Sequence, residues 1–312
     1  MSARGRPHAL GGVAREALQR RSKRRRFAGE YRFEDRQTGS QALIIVLAGY
    51  KEYLWPWVFE RLRRAMPSDA DVCIASSGRN DAALARMASE AGWSYLSSAE
   101  NQVPVVQNLA IREHPNARMV VKVDEDIIVP TGFFSDLLAG YERVKQERRF
   151  TPGICSPVLN VNGYSYVNFL ETLGLLDEYR ERFGELTRRS GLIKATDRGE
   201  GALWLWERSL PFDEVAARFA ALPFAYSAVP HRFSIGAIAY ERDLWEEMGG
   251  FWLGAEAPGL GADEEQICRT CMSLSRVIVV LHNLFAGHFA FGPQEPTMRG
   301  ALERLAPGLA PA

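Results

Sequence analysis

Three consecutive acidic residues are the strongest candidates for chemistry in this chain of 312 residues. Asp124, Glu125 and Asp126 directly follow a mostly apolar run at residues 119–123 and are followed by two isoleucines. Carboxylates at the end of a buried strand are costly unless a cation compensates their charge. Because side chains alternate along a strand, Asp124 and Asp126 are predicted to face one side, where both can meet Mg²⁺ or Mn²⁺ bridging a diphosphate. The alternative is a solvent-exposed acidic turn.

Two later features can add to such a site. A glycine-rich stretch at residues 259–261 opens a predicted helix whose first turn holds Asp263 and Glu264. A carboxylate there can act as a general base, although carboxylates also favour helix N-termini through capping and the helix dipole. His288 lies in an apolar setting after a predicted strand. It is either a hydrogen-bonded core histidine or a third metal ligand.

Alternating strands and helices are predicted to position these residues. The predicted strands are residues 42–48, 70–75, 93–96 and 118–123, and the helices between them are residues 54–65, 81–91 and 103–112. This alternation is typical of βαβ units, in which ligands bind at the carboxyl ends of the strands. The sequence therefore predicts an α/β fold with a central, mostly parallel sheet flanked by helices.

Composition and charge suggest three parts of the chain. Residues 1–40 hold 11 Lys and Arg against 4 Asp and Glu, a balance of +7, and the remainder holds 27 against 34, a balance of −7. We predict a flexible basic arm at residues 1–40, a catalytic domain at residues 41–300 and a tail at residues 301–312. Within the domain, residues 160–225 break the alternation and predict a mainly helical insertion on the acceptor side.

The basic run at residues 20–26 has three interpretations: a mobile solvated arm, a peripheral contact with anionic lipid headgroups, or a nucleic-acid contact. The body shows no basic patch with interleaved aromatic residues, so we expect no nucleic-acid partner.

The sequence also indicates a location. Hydrophobic residues make up 46% and charged residues 24%, as in ordinary globular proteins. No apolar run reaches the ~18–20 residues of a membrane-spanning helix, and no apolar segment typical of a secretory signal follows the first basic residues. Cys268 and Cys271 have redox or zinc spacing but no second pair, and four cysteines do not make a disulfide scaffold at this size. We expect a cytoplasmic protein, with peripheral contact at the inner face of the membrane as a hypothesis.

In order and spacing, these motifs resemble the nucleotide-sugar-dependent glycosyltransferases of the GT-A fold, especially the bacterial family 2 group. Residues 107–111 resemble that group's approach to its D-x-D motif, which Asp124 and Asp126 match. Residues 234–251 are similar to its segment that ends in Gly-Gly-Phe, and Asp263 lies where the family has its catalytic carboxylate.

The resemblance implies roles for the acidic residues and His288. Asp126 binds the divalent metal, Mn²⁺ or Mg²⁺, and Asp124 contacts the donor ribose or the metal. His288 is a further ligand of the metal or diphosphate. Asp263 deprotonates the acceptor hydroxyl, with Glu264 as the alternative because the family's Glu-Asp motif is here Asp-Glu. The products are an inverted glycosidic bond and a nucleoside diphosphate.

The resemblance also implies a donor pocket at the ends of the first two strands. Ala48, Tyr50 and Glu52 follow the first strand, where the family holds the nucleobase. Ser76 and Arg79 follow the second, where the family often has paired aspartates, so the choice between a UDP-sugar and a GDP-sugar stays open. The implied acceptor is a saccharide or lipid-linked hydroxyl, in polysaccharide or glycolipid synthesis.

Two other classes of protein are the alternatives. A haloacid-dehalogenase-type phosphohydrolase also ends a buried strand in Asp-x-Asp, with the first aspartate as nucleophile. Its motif lies near the N-terminus, whereas Asp124 follows at least three predicted strands, and Ile128 and Ala262 fit its pattern poorly. A non-catalytic carbohydrate-binding or scaffold protein with a decayed site is the remaining alternative. Sugar nucleotidyltransferases fit less well, because their glycine-rich loop is absent after the first strand.

Overall fold

A computed structural model describes residues 29–189, 198–252 and 261–311. These residues form a mixed α/β fold around one ten-stranded sheet, which confirms the predicted class. The strands are β1 Tyr31–Glu34, β2 Ala42–Leu47, β3 Asp71–Ser77, β4 Ser94–Ser98, β5 Met119–Asp124, β6 Ile127–Ile128, β7 Pro152–Leu159, β8 Tyr226–Val229, β9 Ala237–Glu241 and β10 Val277–His288. The α-helices are α1 Trp55–Ala65, α2 Ala82–Ala91, α3 Val103–Glu113, α4 Phe133–Gln146, α5 Tyr166–Leu173, α6 Leu176–Phe183, α7 Gly199–Glu207, α8 Phe212–Ala220, α9 Arg242–Met248, α10 Ala262–Ser273 and α11 Glu295–Leu309.

The N-terminal half of the sheet is parallel. Strands β4, β3, β2 and β5 lie side by side in that order, and the helices α1, α2 and α3 connect them. The middle of β2 is buried because its apolar residues contact neighbours on both faces. The order runs outward from β2 to β4 and then returns to β5 on the other side of β2. Ligands of open α/β sheets bind at such a reversal, outside the carboxyl ends of the strands. Here those ends are Leu47 and Asp124, which are paired in register.

The C-terminal half is mixed and brings distant residues to this edge. Strand β9 lies antiparallel between β5 and β7, and β10 pairs in parallel with β7. Strand β10 continues to His288 through a register shift between Leu281 and Phe285. The short strand β6 pairs with the end of β10, so that His288 lies opposite Ile127. His288 is therefore the last residue of a strand and is a neighbour of Asp126.

Helices cover the C-terminal half of the sheet. The described part of residues 160–225 contains α5 to α8, and Phe169, Phe219 and Phe285 stack where α5 and α8 pack on β10. The role of this segment as an acceptor-side insertion stays a prediction.

Two predicted boundaries need correction. Residues 31–34 were assigned to the basic arm but form β1, which pairs antiparallel with β4. The next segment is fixed to the sheet because the Asp71 carboxylate accepts hydrogen bonds from the backbone N–H groups of Thr38 and Ser40. The predicted tail belongs to α11, whose apolar side is buried as far as Leu309. The basic run at residues 20–26 lies outside the described residues, and its contact with lipid stays a prediction.

Two further observations concern membranes and cysteines. In the parts of the chain that the structure describes, every helix is too short or too polar to cross a bilayer. Cys268 and Cys271 are free, buried thiols on α10. Burial raises the pKa of each to about 12, so neither is a thiolate at neutral pH.

Candidate functional site

A cavity of about 370 Å³ opens at the carboxyl ends of β2 and β5. The predicted site residues among its lining are Ala48, Tyr50, Asp124, Asp126, Asp263, Glu264 and His288. The fold therefore brings together the acidic turn after β5, the start of α10 and the end of β10. The other three predicted residues, Glu52, Ser76 and Arg79, are not among the described residues that line it.

Asp124 is held by a buried lysine that the sequence analysis did not consider. Lys122 Nζ donates to Asp124 Oδ2 at 2.7 Å and to the Ile235 carbonyl at 2.9 Å. Burial alone lowers a lysine pKa, but Asp124, with Asp263 behind it, raises the pKa of Lys122 above its usual value. Burial raises the pKa of Asp124 to about 6, although Lys122 opposes this shift. The signal in the sequence was a lysine inside an otherwise apolar strand.

Asp126 lies between two cationic or basic groups. Lys51 Nζ donates to its Oδ2 at 2.5 Å, and His288 Nε2 lies 3.3 Å from the same oxygen. Burial by itself raises the pKa of a carboxyl group, but Lys51 and His288 hold the pKa of Asp126 below its usual range. The other carboxylate oxygen, Oδ1, is buried and has no hydrogen-bond partner among the described residues.

The hydrogen bonds of His288 fix its orientation. Its Nδ1 lies 3.1 Å from the Val161 carbonyl oxygen, which can only accept, so Nδ1 carries the proton in the neutral ring. Nε2 then faces the carboxylate of Asp126. It donates to that carboxylate when the ring is protonated, and its lone pair is available to a cation when the ring is neutral. Its backbone N–H donates to Asn160 Oδ1 at 2.9 Å, and its ring stacks on Phe291. Such an outer hydrogen bond to Nδ1 is typical of histidines that bind metals through Nε2.

Asp126 and His288 fit a divalent cation. His288 Nε2 and Asp126 Oδ2 lie 3.3 Å apart, and the buried Oδ1 of Asp126 has no hydrogen-bond partner among the described residues. Within the described ranges no group of three His, Cys, Asp or Glu residues is placed to hold a metal alone. One oxygen of Asp124 is bound to Lys122, as one oxygen of Asp126 is bound to Lys51, and a role for Asp124 in metal binding stays a prediction. Mg²⁺ and Mn²⁺ sites often use one or two protein ligands and take the rest from substrate phosphates, and this pair suits such a site.

Glu125, the middle acid, has a positioning role that the sequence did not indicate. Its carboxylate accepts hydrogen bonds from the backbone N–H groups of Gly49 at 2.9 Å and Tyr50 at 2.7 Å, and from Trp55 Nε1 at 2.6 Å. These three donors satisfy both oxygens and fix the loop between β2 and α1. The loop in turn carries Lys51 to Asp126.

The same loop is linked to the end of β3. Tyr50 donates its hydroxyl proton to the Ser77 carbonyl at 2.5 Å. Arg79 bonds to the Gly49 carbonyl and pairs with Glu52 at 2.8 Å. Arg79 and Glu52 therefore support this end of the cavity from outside, while the side chains of Tyr50 and Ser77 line it together with Ala75 and Val103. Ser76 is wholly buried beneath them.

The start of α10 forms another part of the lining. Asp263 Oδ2 accepts a hydrogen bond from Gln107 Nε2 at 2.8 Å, and a side chain at Gly261 would place its Cβ 2.6 Å from Asp263 Oδ1. The Glu264 carboxylate accepts from the Ile235 N–H at 3.3 Å, and its Oε1 is buried with no partner among the described residues. Burial and the adjacent Asp263 raise the pKa of Glu264 to about 8. Glu264 is therefore mostly protonated at neutral pH.

Asn108 connects two of the segments on which the family resemblance rests. This buried side chain accepts from the Phe251 N–H at 2.8 Å and from Trp245 Nε1 at 2.9 Å, and donates to the Phe251 carbonyl at 2.9 Å. The neighbouring Gln107 reaches Asp263. Helix α3 therefore positions both the Gly-Gly-Phe segment and the first turn of α10.

Comparison with known proteins gives structural likeness only. No family model matches the chain. No curated protein matches its sequence. A mycobacterial protein of known structure is 13% identical, with a TM-score of 0.45 over 89% of this chain and 78% of that one.

Two similar structures are of named enzymes. A mannosyltransferase from Pyrobaculum calidifontis, solved with GDP-Man and Mn²⁺, is 15% identical, with a TM-score of 0.45 over 96% of this chain and 81% of that one. Glucosyl-3-phosphoglycerate synthase from Mycobacterium tuberculosis, solved with Mn²⁺, UDP and glucosyl-3-phosphoglycerate, is also 15% identical. Its TM-score is 0.45 over 89% of this chain and 83% of that one. Likeness at this level transfers neither activity nor ligands, and membership of family 2 stays a prediction.

Proposed function

We propose that this protein is a metal-dependent glycosyltransferase that moves a sugar from a nucleoside-diphosphate donor to a hydroxyl acceptor, with inversion. One observation carries the proposal: a single cavity at the reversal of the strand order contains both an Asp126–His288 pair suited to a divalent cation and the carboxylates of Asp263 and Glu264. A site that stabilises a leaving diphosphate and deprotonates an acceptor needs both groups within the span of one sugar.

The donor is proposed to lie along the carboxyl ends of β2, β3 and β5. Ala48, Tyr50 and Val103 would form a mostly apolar end of the cavity for a flat nucleobase, and Asp124 would contact the ribose. Asp126 and His288 would hold Mn²⁺ or Mg²⁺. When bound, that cation neutralises the charge that develops on the departing diphosphate.

Two lysines add fixed positive charge to the same region. Lys51 and Lys122 line the cavity, and each donates to a carboxylate of the acidic turn. Their ammonium groups offset the repulsion that those carboxylates would otherwise exert on a diphosphate.

Asp263 is the proposed general base. Gln107 holds one of its oxygens and thereby orients the carboxylate, which is free to accept the acceptor's hydroxyl proton. The resulting oxygen nucleophile forms the new bond to the anomeric carbon while the bond to the diphosphate oxygen breaks. Displacement in one step inverts the anomeric centre. Glu264 is the alternative base, but its pKa of about 8 leaves it mostly protonated near neutral pH.

The nature of the nucleotide and acceptor is part of the proposal. UDP-sugars and GDP-sugars are both candidates, with a saccharide or lipid-linked acceptor in polysaccharide or glycolipid synthesis. Co-sedimentation of the full chain with anionic and neutral vesicles, at low and high salt, tests whether the basic segment contacts lipid.

Thermal stabilisation tests donor binding. UDP or GDP together with Mn²⁺ should raise the melting temperature of the wild-type protein, and chelation by EDTA should abolish the gain. Asp126→Ala should lose the same gain, whereas Asp177→Ala, at a carboxylate with a side chain 92% exposed, should keep it. No stabilisation by any nucleotide would favour a non-catalytic binding protein.

A second experiment tests the base. Asp263→Asn should lower nucleoside diphosphate release from a nucleotide sugar by about 10²-fold or more, while donor binding stays within about twofold of the wild type. Equal loss of both would show that Asp263 only supports the fold. Release of inorganic phosphate from sugar phosphates would instead indicate a phosphohydrolase.

A further inference from the structure

Among the described residues that line the cavity, four are lysines or arginines, and they fall into two kinds. Lys51 and Lys122 donate to carboxylates at 2.5 and 2.7 Å. For Arg189 and Arg232, no guanidinium hydrogen bond to another described residue is present. The carboxylates of the acidic turn therefore already neutralise the two lysines, while the two arginines keep most of their hydrogen-bonding capacity.

Arg232 has a partly buried guanidinium with no hydrogen-bond partner among the described residues. Its side chain is 25% exposed, and its nearest carboxylate oxygen is Glu265 Oε2 at 3.9 Å, which is beyond hydrogen-bond distance. Arg276 shows the usual arrangement in this protein, because its buried guanidinium bonds to Asp243 and Glu247 at 2.8–3.1 Å. An arginine has five N–H donors, and leaving them unused away from water is costly. Arg232 is thus prepared for a ligand with oxygen acceptors.

Arg189 lines the cavity from another segment. Its backbone N–H donates to the Gly163 carbonyl at 3.1 Å, and its exposed side chain lines the cavity. The preceding Arg188 differs, because its guanidinium bonds to Asn168 Oδ1 at 2.7 Å and to the Tyr164 carbonyl. The Tyr164 ring lies 6.4 Å from the ring of Phe233, the neighbour of Arg232. The two arginine segments therefore meet around Tyr164.

Arg232 lies beside the helix that carries the proposed base. The backbone of Phe233 bonds to Cys268 Sγ, and Arg232 faces Glu265, so this segment packs on α10, the helix that carries Asp263. Arg232 is also close enough to Glu264 to oppose the rise of that pKa. Lys51 lies beside Asp126, where the diphosphate is proposed to bind.

We propose that the acceptor is an anion: a hydroxyl compound that also bears a phosphate or carboxylate group, which Arg232 and Arg189 bind. The inference rests on the proposed glycosyl transfer, because it assigns the acceptor end of that cavity. A guanidinium binds either anion through paired hydrogen bonds, and holding the anion there orients the acceptor's hydroxyl toward Asp263.

Calorimetric titration with small probes tests the proposal. The full chain, with and without saturating Mn²⁺ and UDP or GDP, is titrated with glycerol 3-phosphate, glycerate and glycerol. We expect one or both anions to bind and neutral glycerol not to bind, and the stronger anion distinguishes phosphate from carboxylate. Arg232→Gln and Arg189→Gln should each weaken that binding about tenfold or more, since each loses charge-assisted hydrogen bonds.

The matched control is Arg269→Gln. Arg269 pairs with the same Glu265 at 3.3 Å, but its side chain is 74% exposed and lies outside the cavity lining. This variant should bind the anion within about twofold of the wild type. Melting temperatures of the three variants show that each is folded.

Three results would overturn the proposal: neither anion binds, both cavity variants bind it as the wild type does, or excess UDP or GDP displaces it. The last would place the anion in the diphosphate position. If nucleotide and Mn²⁺ fail to stabilise the protein, the proposed transfer is refuted. The titration without nucleotide still shows whether Arg232 and Arg189 bind an anion, so the two failures are distinguishable.

Discussion

Replacing Glu125 tests whether this acid anchors the loop between β2 and α1 or binds the cation, as is proposed for the neighbouring Asp126. Glu125→Gln keeps the shape of the side chain but removes its charge and turns one acceptor into a donor. In the wild type, one oxygen accepts from Tyr50 N–H and the other from Gly49 N–H and Trp55 Nε1. In either orientation, the amide NH₂ of glutamine must face at least one N–H donor.

The expected cost follows from these contacts. One hydrogen bond to a charged group is lost, worth about 1.5–3 kcal/mol, and the two that remain are weaker without the charge. We expect the free energy of unfolding to fall by about 3 kcal/mol and the melting temperature by roughly 5–10 °C. Glu52→Gln is the matched control in the same loop. The Glu52 side chain is 58% exposed in its pair with Arg79, so its loss should cost below about 1 kcal/mol.

Urea and thermal unfolding followed by circular dichroism measure both variants, and calorimetry measures Mn²⁺ binding in the presence of UDP or GDP. The reasoning is refuted if Glu125→Gln unfolds like the wild type but loses Mn²⁺ affinity as Asp126→Ala does. Glu125 would then be a metal ligand and not the anchor of the loop.

Three further predictions concern the cavity walls. Folding raises the pKa of Glu264 to about 8, so its contribution to stability is complete below the unfolded value near 4.5 and is lost as pH rises through 8. The melting temperature of Glu264→Gln should therefore rise relative to that of the wild type between pH 5 and pH 9. A difference in melting temperature that stays constant with pH would contradict this. Asn108→Ala removes three buried hydrogen bonds and should lower the free energy of unfolding by about 3 kcal/mol, seen as a lower urea midpoint; an unchanged midpoint would mean that the Gly-Gly-Phe segment is held by other contacts. Gly287→Ala should destabilise the protein by about 1–3 kcal/mol, because the added Cβ would lie 2.4 Å from the buried Trp206 ring. Its control is Gly300→Ala in α11, where the added Cβ would meet no described neighbour within 4 Å. In the same unfolding assay this variant should be more stable than the wild type by up to about 1 kcal/mol.

Local pattern was enough to predict much of the fold. The strand predicted at residues 42–48 is β2, Ala42–Leu47, and the helix predicted at residues 103–112 is α3, Val103–Glu113. These elements are predictable because their apolar spacing is a property of neighbouring residues. The ends of the sheet domain were misjudged, since β1 exists only through pairing with β4, and α11 only through packing of its apolar side.

The sequence by itself determined that acids follow a buried strand, that others open a helix, and that an α/β sheet brings such points together. The tertiary structure decided what each acid does. Lys51 is 75 residues from Asp126, and it also reaches the Ala290 carbonyl, 239 residues away. The carboxylate of Glu125 accepts from Tyr50, which is also 75 residues away in sequence. His288 meets Asp126 only because β6 pairs with the end of β10. Residue type and spacing fix which groups are available for chemistry, whereas their partners, and hence their charge states and roles, depend on contacts that only the folded sheet creates.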